Sequence, residues 1–270
     1  MENNYSELTV PRSIIKIDEG LVQYEEDLVV RETTLTVYIN STEVATLVCS
    51  PRDQKYLAVG FLCAEGILTK REDIIAVDLD QEQGAVYVKT RPDLSFADRL
   101  TVKRRITPSA GGSGTTVSAD GINLPAPVQS QLRVSAETAL SLANQLQERS
   151  HLFQRTGGVH NAALAKGEEI LIFQEDIGRH NTLDKIHGQC FLEGISRDDK
   201  MIVYSGRIST EILLKVARMG VPILISRSAP TDRALQMAEK LNITVLGFVR
   251  GNRLTIYAGQ ERVIFKIFEG

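Results

Sequence analysis

Residues 201–249 read MIVYSGRISTEILLKVARMGVPILISRSAPTDRALQMAEKLNITVLGFV, and they contain three apolar strands separated by two helices. The strands are predicted to begin near residues 201, 223 and 245, which gives a repeat of about 22 residues. Strands that are apolar throughout and alternate with helices are typical of βαβ crossovers in a buried sheet. The sequence therefore predicts an α/β fold whose C-terminal part is built on a largely parallel sheet.

The segments on either side of this repeat extend the same domain. Upstream, the sequence predicts a helix at 135–149 capped by Ser135, strands at 162–165 and 170–174, and a helix around 183–193. Downstream, residues 254–257 and 263–268 predict a closing hairpin. We therefore expect one α/β domain over residues 135–270.

The N-terminal part has a different pattern, typical of an α+β arrangement. Hairpins are predicted at 35–49 and 74–90, a helix at 53–65, and a strand at 100–106. Residues 107–134 are rich in Gly, Pro, Ser and Thr, which is typical of a functional loop or a linker. The expected organisation is a strand-rich N-terminal domain at 1–106, a Gly/Pro-rich segment at 107–134, and the α/β domain.

Composition excludes several classes of protein. The net charge of −3 disfavours extended binding to nucleic acid, and no apolar run reaches the length needed to cross a membrane. Without a visible secretory signal, we expect a cytoplasmic protein. The cysteines Cys49, Cys63 and Cys190 are scattered among apolar residues, so we expect them to be buried, without a disulfide framework or a zinc motif. The H-x-E and P-C-x-x-C motifs of zinc deaminases are absent from the sequence.

Polar side chains follow each strand of the repeat, where ligands bind in open α/β sheets. The candidate binding residues in these loops are Ser205, Arg207, Ser226, Ser228, Arg250 and Arg253. Backbone N–H groups at helix starts and arginine side chains together suit phosphate or another anion. The alternative is ordinary helix capping by Ser209 and Thr231.

A second candidate site follows the strand at 170–174. Glu175, Asp176, Arg179 and His180 lie within six residues of each other, so Asp176 and His180 are candidates for acid–base work or for orienting a substrate. The alternative is the start of a helix, with Asp176 accepting backbone hydrogen bonds and Arg179 in solvent.

Taken in order, these segments resemble the FdhD family, accessory sulfurtransferases for formate dehydrogenase. The matching strings are GFLCAEGI at 60–67, TGGVHNAA at 156–163, EDIGRHNTLDK at 175–185, SGRISTE at 205–211, SRSAPTDRA at 226–234 and GFVRGNRLTIY at 247–257. The resemblance implies a cytidine-deaminase-like fold without zinc, and a homodimer. It also implies a carrier that passes sulfur from a cysteine desulfurase to the molybdenum or tungsten of a bis(guanine dinucleotide) pterin cofactor.

The resemblance assigns cofactor binding to a stretch just after the last predicted strand of the repeat. The residues are Phe248, Val249, Arg250, Gly251, Asn252 and Arg253. This loop lies at the edge that the strand pattern already indicates as the ligand edge.

The sequence departs from the family at its cysteine loop, where Ala110 and Ser113 have the spacing of the two family cysteines. Either this member has lost the cysteine, or the residue was replaced, or sulfur is relayed by another route. Arg104 and Arg105 would still favour a persulfide anion there. The leading hypothesis is a sulfur carrier for formate dehydrogenase, and the alternative is a cofactor-binding chaperone without sulfur transfer. Whether the chain is an enzyme stays open, although a free-standing hydrolase or deaminase lacks a nucleophile–base pair.

Overall fold

The structure is a computed structural model of the 270-residue chain and describes residues 5–91, 106–107 and 124–265. For residues 106 and 107 it describes the backbone. Ala110, Ser113, Arg104 and Arg105 lie outside the described residues, and so does most of the strand predicted at 100–106. The predicted domain boundary within 107–134 therefore stays a prediction.

The described part of the chain contains six α-helices, three short 3-10 helices and fifteen strands. The helices are α1 (Gln54–Ala64), α2 (Ala136–Arg149), α3 (His151–Thr156), α4 (Arg179–Glu193), α5 (Thr210–Met219) and α6 (Asp232–Leu241). The strands are β1 (Thr9–Asp18), β2 (Leu21–Val30), β3 (Thr33–Ile39), β4 (Thr42–Cys49), β5 (Ile74–Asp80), β6 (Ala85–Thr90), β7 (Ile106–Thr107), β8 (Val134–Ser135), β9 (His160–Lys166), β10 (Glu169–Asp176), β11 (Met201–Tyr204), β12 (Ile223–Ser226), β13 (Thr244–Arg250), β14 (Arg253–Ala258) and β15 (Val263–Ile264).

A five-stranded N-terminal sheet has the order β5-β6-β3-β4-β7. The two predicted hairpins are present as β3–β4 and β5–β6, and both are antiparallel. Alternate residues Leu35, Val37 and Ile39 are buried in one cluster with Leu57 and Leu62 of α1. The period-two pattern of β3 thus packs against the helix that the sequence predicts.

The six-stranded C-terminal sheet has the order β10-β9-β11-β12-β13-β14. Strands β11, β12 and β13 are parallel, as the repeat predicts. The prediction that the whole sheet is largely parallel is wrong, because β9–β10, β9–β11 and β13–β14 pair antiparallel. Two-residue turns join β9 to β10 and β13 to β14, and such turns are too short for a crossover. The fold is a mixed α/β structure.

The predicted closing hairpin is also wrong. Strand β14 pairs with β13 across the turn Gly251-Asn252, while β15 pairs in parallel with β8, at the residue that caps α2. The predicted cap is confirmed, since the N–H of Thr138 donates to Ser135 Oγ at 3.0 Å. Helix α4 begins at Arg179, four residues before the predicted start near Leu183. Its first turn is polar but buried, so it lacks the apolar periodicity that marks a helix in sequence.

Helices α1 and α4 join the two sheets through a close backbone crossing. A Cβ added to Gly60 would lie 1.7 Å from the carbonyl oxygen of Asp184, and one added to Gly188 would lie 1.9 Å from that of Tyr56. Both positions therefore require glycine. Separate hydrogen bonds hold the start of α4, and with it the second candidate site, against the end of β4: the N–H of Ser50 donates to Asp176, and Asn181 Nδ2 donates to the carbonyl of Val48.

Strands β1 and β2 form a hairpin of their own that the sequence analysis does not predict. One face carries Ile15, Ile17, Val22 and Tyr24, whose side chains are 56 to 81% exposed. In the described ranges, no helix combines the length and the apolar character needed to span a bilayer.

Candidate functional site at the ends of β10 to β13

The loops after β11, β12 and β13 converge at one edge of the C-terminal sheet. The N–H of Arg227 donates to the carbonyl of Tyr204 at 3.0 Å, and Ser226 Oγ donates to the carbonyl of Gly206 at 2.8 Å. The N–H of Phe248 donates to the carbonyl of Ser228 at 3.2 Å. The structure thus brings the predicted residues Ser226, Ser228 and Phe248 together, next to the loop that carries Ser205 and the exposed Arg207.

Many backbone N–H groups at this edge already have partners within the protein. The N–H of Ile208 donates to the carbonyl of Ala229, and the N–H of Thr231 donates to the carbonyl of Ile208. Ser209 and Thr231 cap α5 and α6, which confirms the capping interpretation of these two residues. Recognition of a ligand here therefore depends mainly on side chains.

Three arginines meet at this edge, and we call Arg227, Arg250 and Arg253 the arginine edge. The Nε of Arg250 donates to the carbonyl oxygen of Arg227 at 2.6 Å, and Arg250 lies opposite Arg253 in the β13–β14 hairpin. Partial burial, and then the charge of Arg250, lower the pKa of the Arg227 guanidinium. Within residues 5–91 and 124–265, no carboxylate forms an ion pair with any of the three. Like charges held together in this way favour binding of an anion.

Arg227 lies in one of the predicted arginine-bearing loops, but it is not named among the candidate binding residues. It lies between the two predicted serines Ser226 and Ser228, on the strand next to the one that ends at Arg250. The sequence pattern that could have identified Arg227 is an arginine at the carboxyl end of each of two adjacent parallel strands.

The remaining residues of the predicted cofactor loop differ in how they face solvent. Phe248 has a left-handed backbone with φ 50° and a side chain that is 37% exposed. Such a backbone is unfavourable for a bulky residue and is typical of functional sites. The side chain of Val249 is buried in the core and faces away from any ligand at this edge. Gly251, with φ 55°, and Asn252 form the exposed hairpin turn.

The start of α4 lies at the same sheet edge and contains a second group, the histidine cluster of His160, Arg179, His180, Ser205 and Glu211. His180 Nε2 lies 3.6 Å from Glu211 Oε2, and His160 Nδ1 lies 3.4 Å from Ser205 Oγ. Both ring nitrogens of His180 and the Nε of Arg179 are buried without a hydrogen-bond partner. Buried polar atoms without partners are rare in folded proteins and often mark a functional site.

Burial sets the protonation states of this cluster. It lowers the pKa of His180 to about 3, with Lys215 and Arg179 adding to the effect, and it lowers the pKa of His160. Burial also raises the pKa of the Glu211 carboxyl. A neutral His180 is thus available both to accept and to donate a hydrogen bond.

Asp176 is fully buried and has four partners. Its Oδ2 lies 2.7 Å from Lys185 Nζ and accepts from the N–H of Ser50 at 3.1 Å. Its Oδ1 accepts from the N–H of Gly178 and from Asn181 Nδ2, both at 2.8 Å. This geometry matches the interpretation of Asp176 as an acceptor at the start of a helix. We therefore assign it to positioning of α4, and acid–base work by Asp176 stays a prediction that its contacts do not favour.

Next to Asp176, the side chain of Glu175 accepts from Asn161 Nδ2 at 3.1 Å. Burial raises the pKa of the Glu175 carboxyl to about 7, against the opposing charges of Arg52 and Lys185. Glu175 is therefore the carboxyl group at this edge that is poised to exchange a proton near neutral pH.

The cysteines are buried, as predicted. Burial raises the pKa of Cys49 to about 12 and that of Cys190 to about 11, and it raises the pKa of Cys63 further still. All three are neutral thiols at physiological pH. The part of the chain that the structure describes holds no group of three His, Cys, Asp or Glu side chains placed to bind a metal ion.

Comparison with known proteins shows the family to which the chain belongs. The FdhD/NarQ family profile matches residues 30–264. "Sulfur carrier protein FdhD" of Bacillus subtilis is 43% identical over 260 residues, which is 95% of this chain and 98% of the relative. The protein of the same name from Halalkalibacterium halodurans is 42% identical, over 94% of each chain.

A solved structure shows the same fold. The crystal structure of a proposed formate dehydrogenase accessory protein from Desulfotalea psychrophila superposes with a TM-score of 0.78 at 23% identity. The match covers 95% of this chain and 100% of that one. Because the family profile and the relatives both span nearly the whole chain, the protein belongs to the FdhD/NarQ family.

Proposed function

We propose that this chain is an accessory protein for formate dehydrogenase that works in the transfer of sulfur to the enzyme's cofactor. The cofactor, a molybdenum or tungsten bis(guanine dinucleotide) pterin, is cargo in this proposal, and the arginine edge is its binding site. The observation that carries the proposal is the Arg227–Arg250 pair, which has no carboxylate partner among the described residues. The partly exposed Phe248 lies on the same strand, two residues before Arg250. The family membership and the names of the relatives support it.

The residues of the arginine edge suit a nucleoside diphosphate. The guanidinium groups of Arg227, Arg250 and Arg253 would donate to diphosphate oxygens, and each charge-assisted hydrogen bond is worth roughly 1.5–3 kcal/mol. The ring of Phe248 offers a surface on which a guanine base can stack. The side chain of Asn252 offers a donor and an acceptor for the edge of the base.

Transfer of sulfur needs a thiolate, and the sequence offers none in an accessible place. Position 110 carries Ala, and the pKa values of Cys49, Cys63 and Cys190 are all raised by burial. A neutral buried thiol is a poor nucleophile towards a sulfane sulfur. These observations favour the second candidate function, in which the chain holds the cofactor for formate dehydrogenase while another component carries the persulfide from the cysteine desulfurase.

The homodimer is proposed on a separate observation. The apolar face of the β1–β2 hairpin, formed by Ile15, Ile17, Val22 and Tyr24, is exposed, while most charged side chains lie on the opposite face. A two-stranded ribbon is marginally stable in water, so we expect a second copy to cover this face. A shift from dimer to monomer in the Ile15→Ser/Ile17→Ser variant, measured by light scattering, tests this part of the proposal.

The proposal also covers the fold type, the absence of zinc and the cellular compartment. The C-terminal sheet is of the cytidine-deaminase-like type, and its parallel β11–β13 core with interleaved helices supports this. The protein uses no zinc of its own, and the chemistry of the histidine cluster, with arginine at its centre, supports this. It acts in the cytoplasm without binding nucleic acid, which the net charge of −3 supports.

Calorimetric titration with GDP tests the binding site. We expect measurable binding, weakened about tenfold or more in Arg250→Ala and in Arg227→Ala, because each variant removes a charge-assisted contact. Arg12→Ala changes the net charge equally on the distant β1–β2 hairpin and serves as the control. Equal affinity in all three variants would remove the arginine edge from the site.

The two candidate functions are separated by mass spectrometry after incubation with a cysteine desulfurase and cysteine. The second candidate predicts no persulfide on this chain, and acceptance of one sulfur atom by the Ala110→Cys variant. A persulfide on Cys63 or Cys190 of the unaltered chain would instead establish direct sulfur transfer.

A further inference from the structure

A pocket of about 400 Å³ lies where the ends of α1 and α5 meet the middle of α4 and residues 124–126. It is separate from the arginine edge. Helix α5 starts at the ligand edge, and Arg218, which lines this pocket, lies eight residues further along it. At the helical rise, this places the pocket roughly 12 Å away along the helix axis.

Two arginines in the wall of the pocket are held by backbone carbonyl groups. Arg197 Nε donates to the carbonyl of Met219 at 2.7 Å, and Arg218 Nη1 donates to the carbonyl of Ala64. Both side chains are half-buried. Among the described residues, neither forms an ion pair with a carboxylate. Each guanidinium group is thus oriented by one hydrogen bond and keeps further N–H donors for a ligand.

His187 provides an independent indication of a ligand. It lines the same pocket, its residue exposure is 4%, and its Nδ1 is buried without a hydrogen-bond partner. A buried nitrogen without a hydrogen-bond partner is unfavourable, so a ligand that supplies the missing partner is favoured. Burial first, and then the charges of Arg197, Lys215 and Arg218, lower the pKa of His187 to about 3. The ring is therefore neutral and lies in a positive environment.

The positive charge around the pocket is only partly balanced. Lys215 is paired with Asp184 at 2.6 Å, so its charge is neutralised locally. Arg197 and Arg218 have no such counterion within the described ranges. The other walls are apolar and include Leu68, Pro125 and Phe191. The pocket thus combines two oriented cations with a surface that favours an apolar body.

We propose that this pocket binds a small organic oxyanion, a carboxylate or phosphate carried on an apolar body. Arg197 and Arg218 hold the oxyanion, and His187 Nδ1 makes a further hydrogen bond to it. The apolar body packs against Phe191 and Leu68. The site is independent of the proposed cofactor site. Because Ala64 and Leu68 belong to the N-terminal part of the chain, a bound ligand also stabilises the packing of that part against α4 and α5.

The probes are benzoate, phenyl phosphate and the neutral benzamide, titrated by calorimetry into the full chain. We expect one of the two anions to bind with a dissociation constant of about 1 mM or tighter, and benzamide to bind at least tenfold more weakly. The comparison of benzoate with phenyl phosphate identifies which oxyanion the pocket takes. In ¹⁵N-histidine-labelled protein, which has four histidines, binding should shift the ring resonances of His187.

Two variants place the binding in this pocket. Arg218→Gln should weaken it at least tenfold, and Thr69→Trp should block it from the exposed rim without touching either arginine. Thr69→Trp keeps the test decisive if loss of the Arg218 contact to Ala64 impairs folding. Arg12→Gln is the control and should bind as the unaltered chain does. Absence of binding by both anions, equal binding of benzamide, or unchanged affinity in Thr69→Trp would each overturn the proposal.

Discussion

The junction of β10 with α4 and the arginine edge use charge in opposite ways. At the junction, Asp176 and Lys185 are both fully buried, and they lie 2.7 Å apart with further hydrogen bonds to the backbone. At the arginine edge, Arg227 and Arg250 lie together, and neither has a carboxylate partner among the described residues. The charges of the first pair are balanced within the protein and stabilise the fold. The second region holds like charges close together, and we propose that an anion balances them.

The largest effect is expected from Gly60→Ala. The new Cβ would lie 1.7 Å from the carbonyl oxygen of Asp184, so the two helices must separate along their whole contact. We expect a loss of at least about 3 kcal/mol in the free energy of unfolding, or failure to fold. Urea unfolding measures it.

Gly66→Ala is the matched control for this change. Gly66 has φ 73° but open space around it, so only backbone strain of about 1 kcal/mol is expected. If Gly60→Ala costs no more than Gly66→Ala, the close crossing of α1 and α4 is wrong.

The second effect tests the buried pair. Asp176→Asn leaves Lys185 buried without a counterion, and breaking such a pair costs about 3–5 kcal/mol. The control is Asp78→Asn, which removes an exposed pair with Lys89 at 3.3 Å and should cost less than about 1 kcal/mol. Equal losses of unfolding free energy in the two variants would show that the junction is open to water.

The third effect is a decrease in the free energy of unfolding as pH falls, and it is caused by the buried histidines. The pKa values of His180 and His187 are about 3 in the folded protein, below the usual value of about 6.5. Between pH 6.5 and 3, these two histidines therefore bind protons in the unfolded chain but stay neutral in the folded protein. The stabilisation from each neutral histidine is complete above pH 6.5 and is lost as pH falls towards 3.

Glu175 has the opposite effect on stability over part of this pH range. Its pKa in the folded protein is raised to about 7, so its stabilising contribution is present at low pH and is lost as pH rises from about 4.5 to 7. Between pH 4.5 and 6.5, the two histidines and this carboxyl together make the free energy of unfolding rise with pH. The net slope approaches about 1.4 kcal/mol per pH unit. In Glu175→Gln the slope should approach about twice that value. An unchanged urea midpoint between pH 7 and 4.5 in that variant would contradict the burial of both histidines.

The two regions also differ in how far the sequence predicted them. The strands at 201, 223 and 245 and the helices between them are confirmed, because continuous apolar runs separated by capped amphipathic helices are a local signal. The sequence predicts the start of α4 four residues too late, because His180, Asn181 and Asp184 are polar residues that are buried only through tertiary partners. Those partners lie on other elements, so the local sequence does not predict them.

The candidate site shows the same division between local and distant information. The three loops were predicted from their position after the strands, and the structure brings them together. The sequence predicts that the arginines of these loops share one edge. The specific contact between Arg250 Nε and the carbonyl of Arg227 is not predictable, because it depends on the order of the strands in the sheet. The β1–β2 hairpin was missed because Ile14 and Ile15 interrupt the simple alternation of a strand.

The smallest expected effect on stability comes from the arginine edge itself. Arg227→Gln removes a guanidinium whose pKa is lowered by burial and by the nearby Arg250, so its charge is unfavourable in the unliganded protein. We expect the free energy of unfolding to change by less than about 0.5 kcal/mol, or to rise slightly. The same variant should bind GDP at least tenfold more weakly, and added GDP should stabilise the unaltered chain but not the variant, as linkage requires. Thermal unfolding with and without GDP measures both quantities in one experiment. A loss of stability in Arg227→Gln comparable to that of Asp176→Asn would mean that this arginine holds the fold, and the contrast between the two regions would then be wrong.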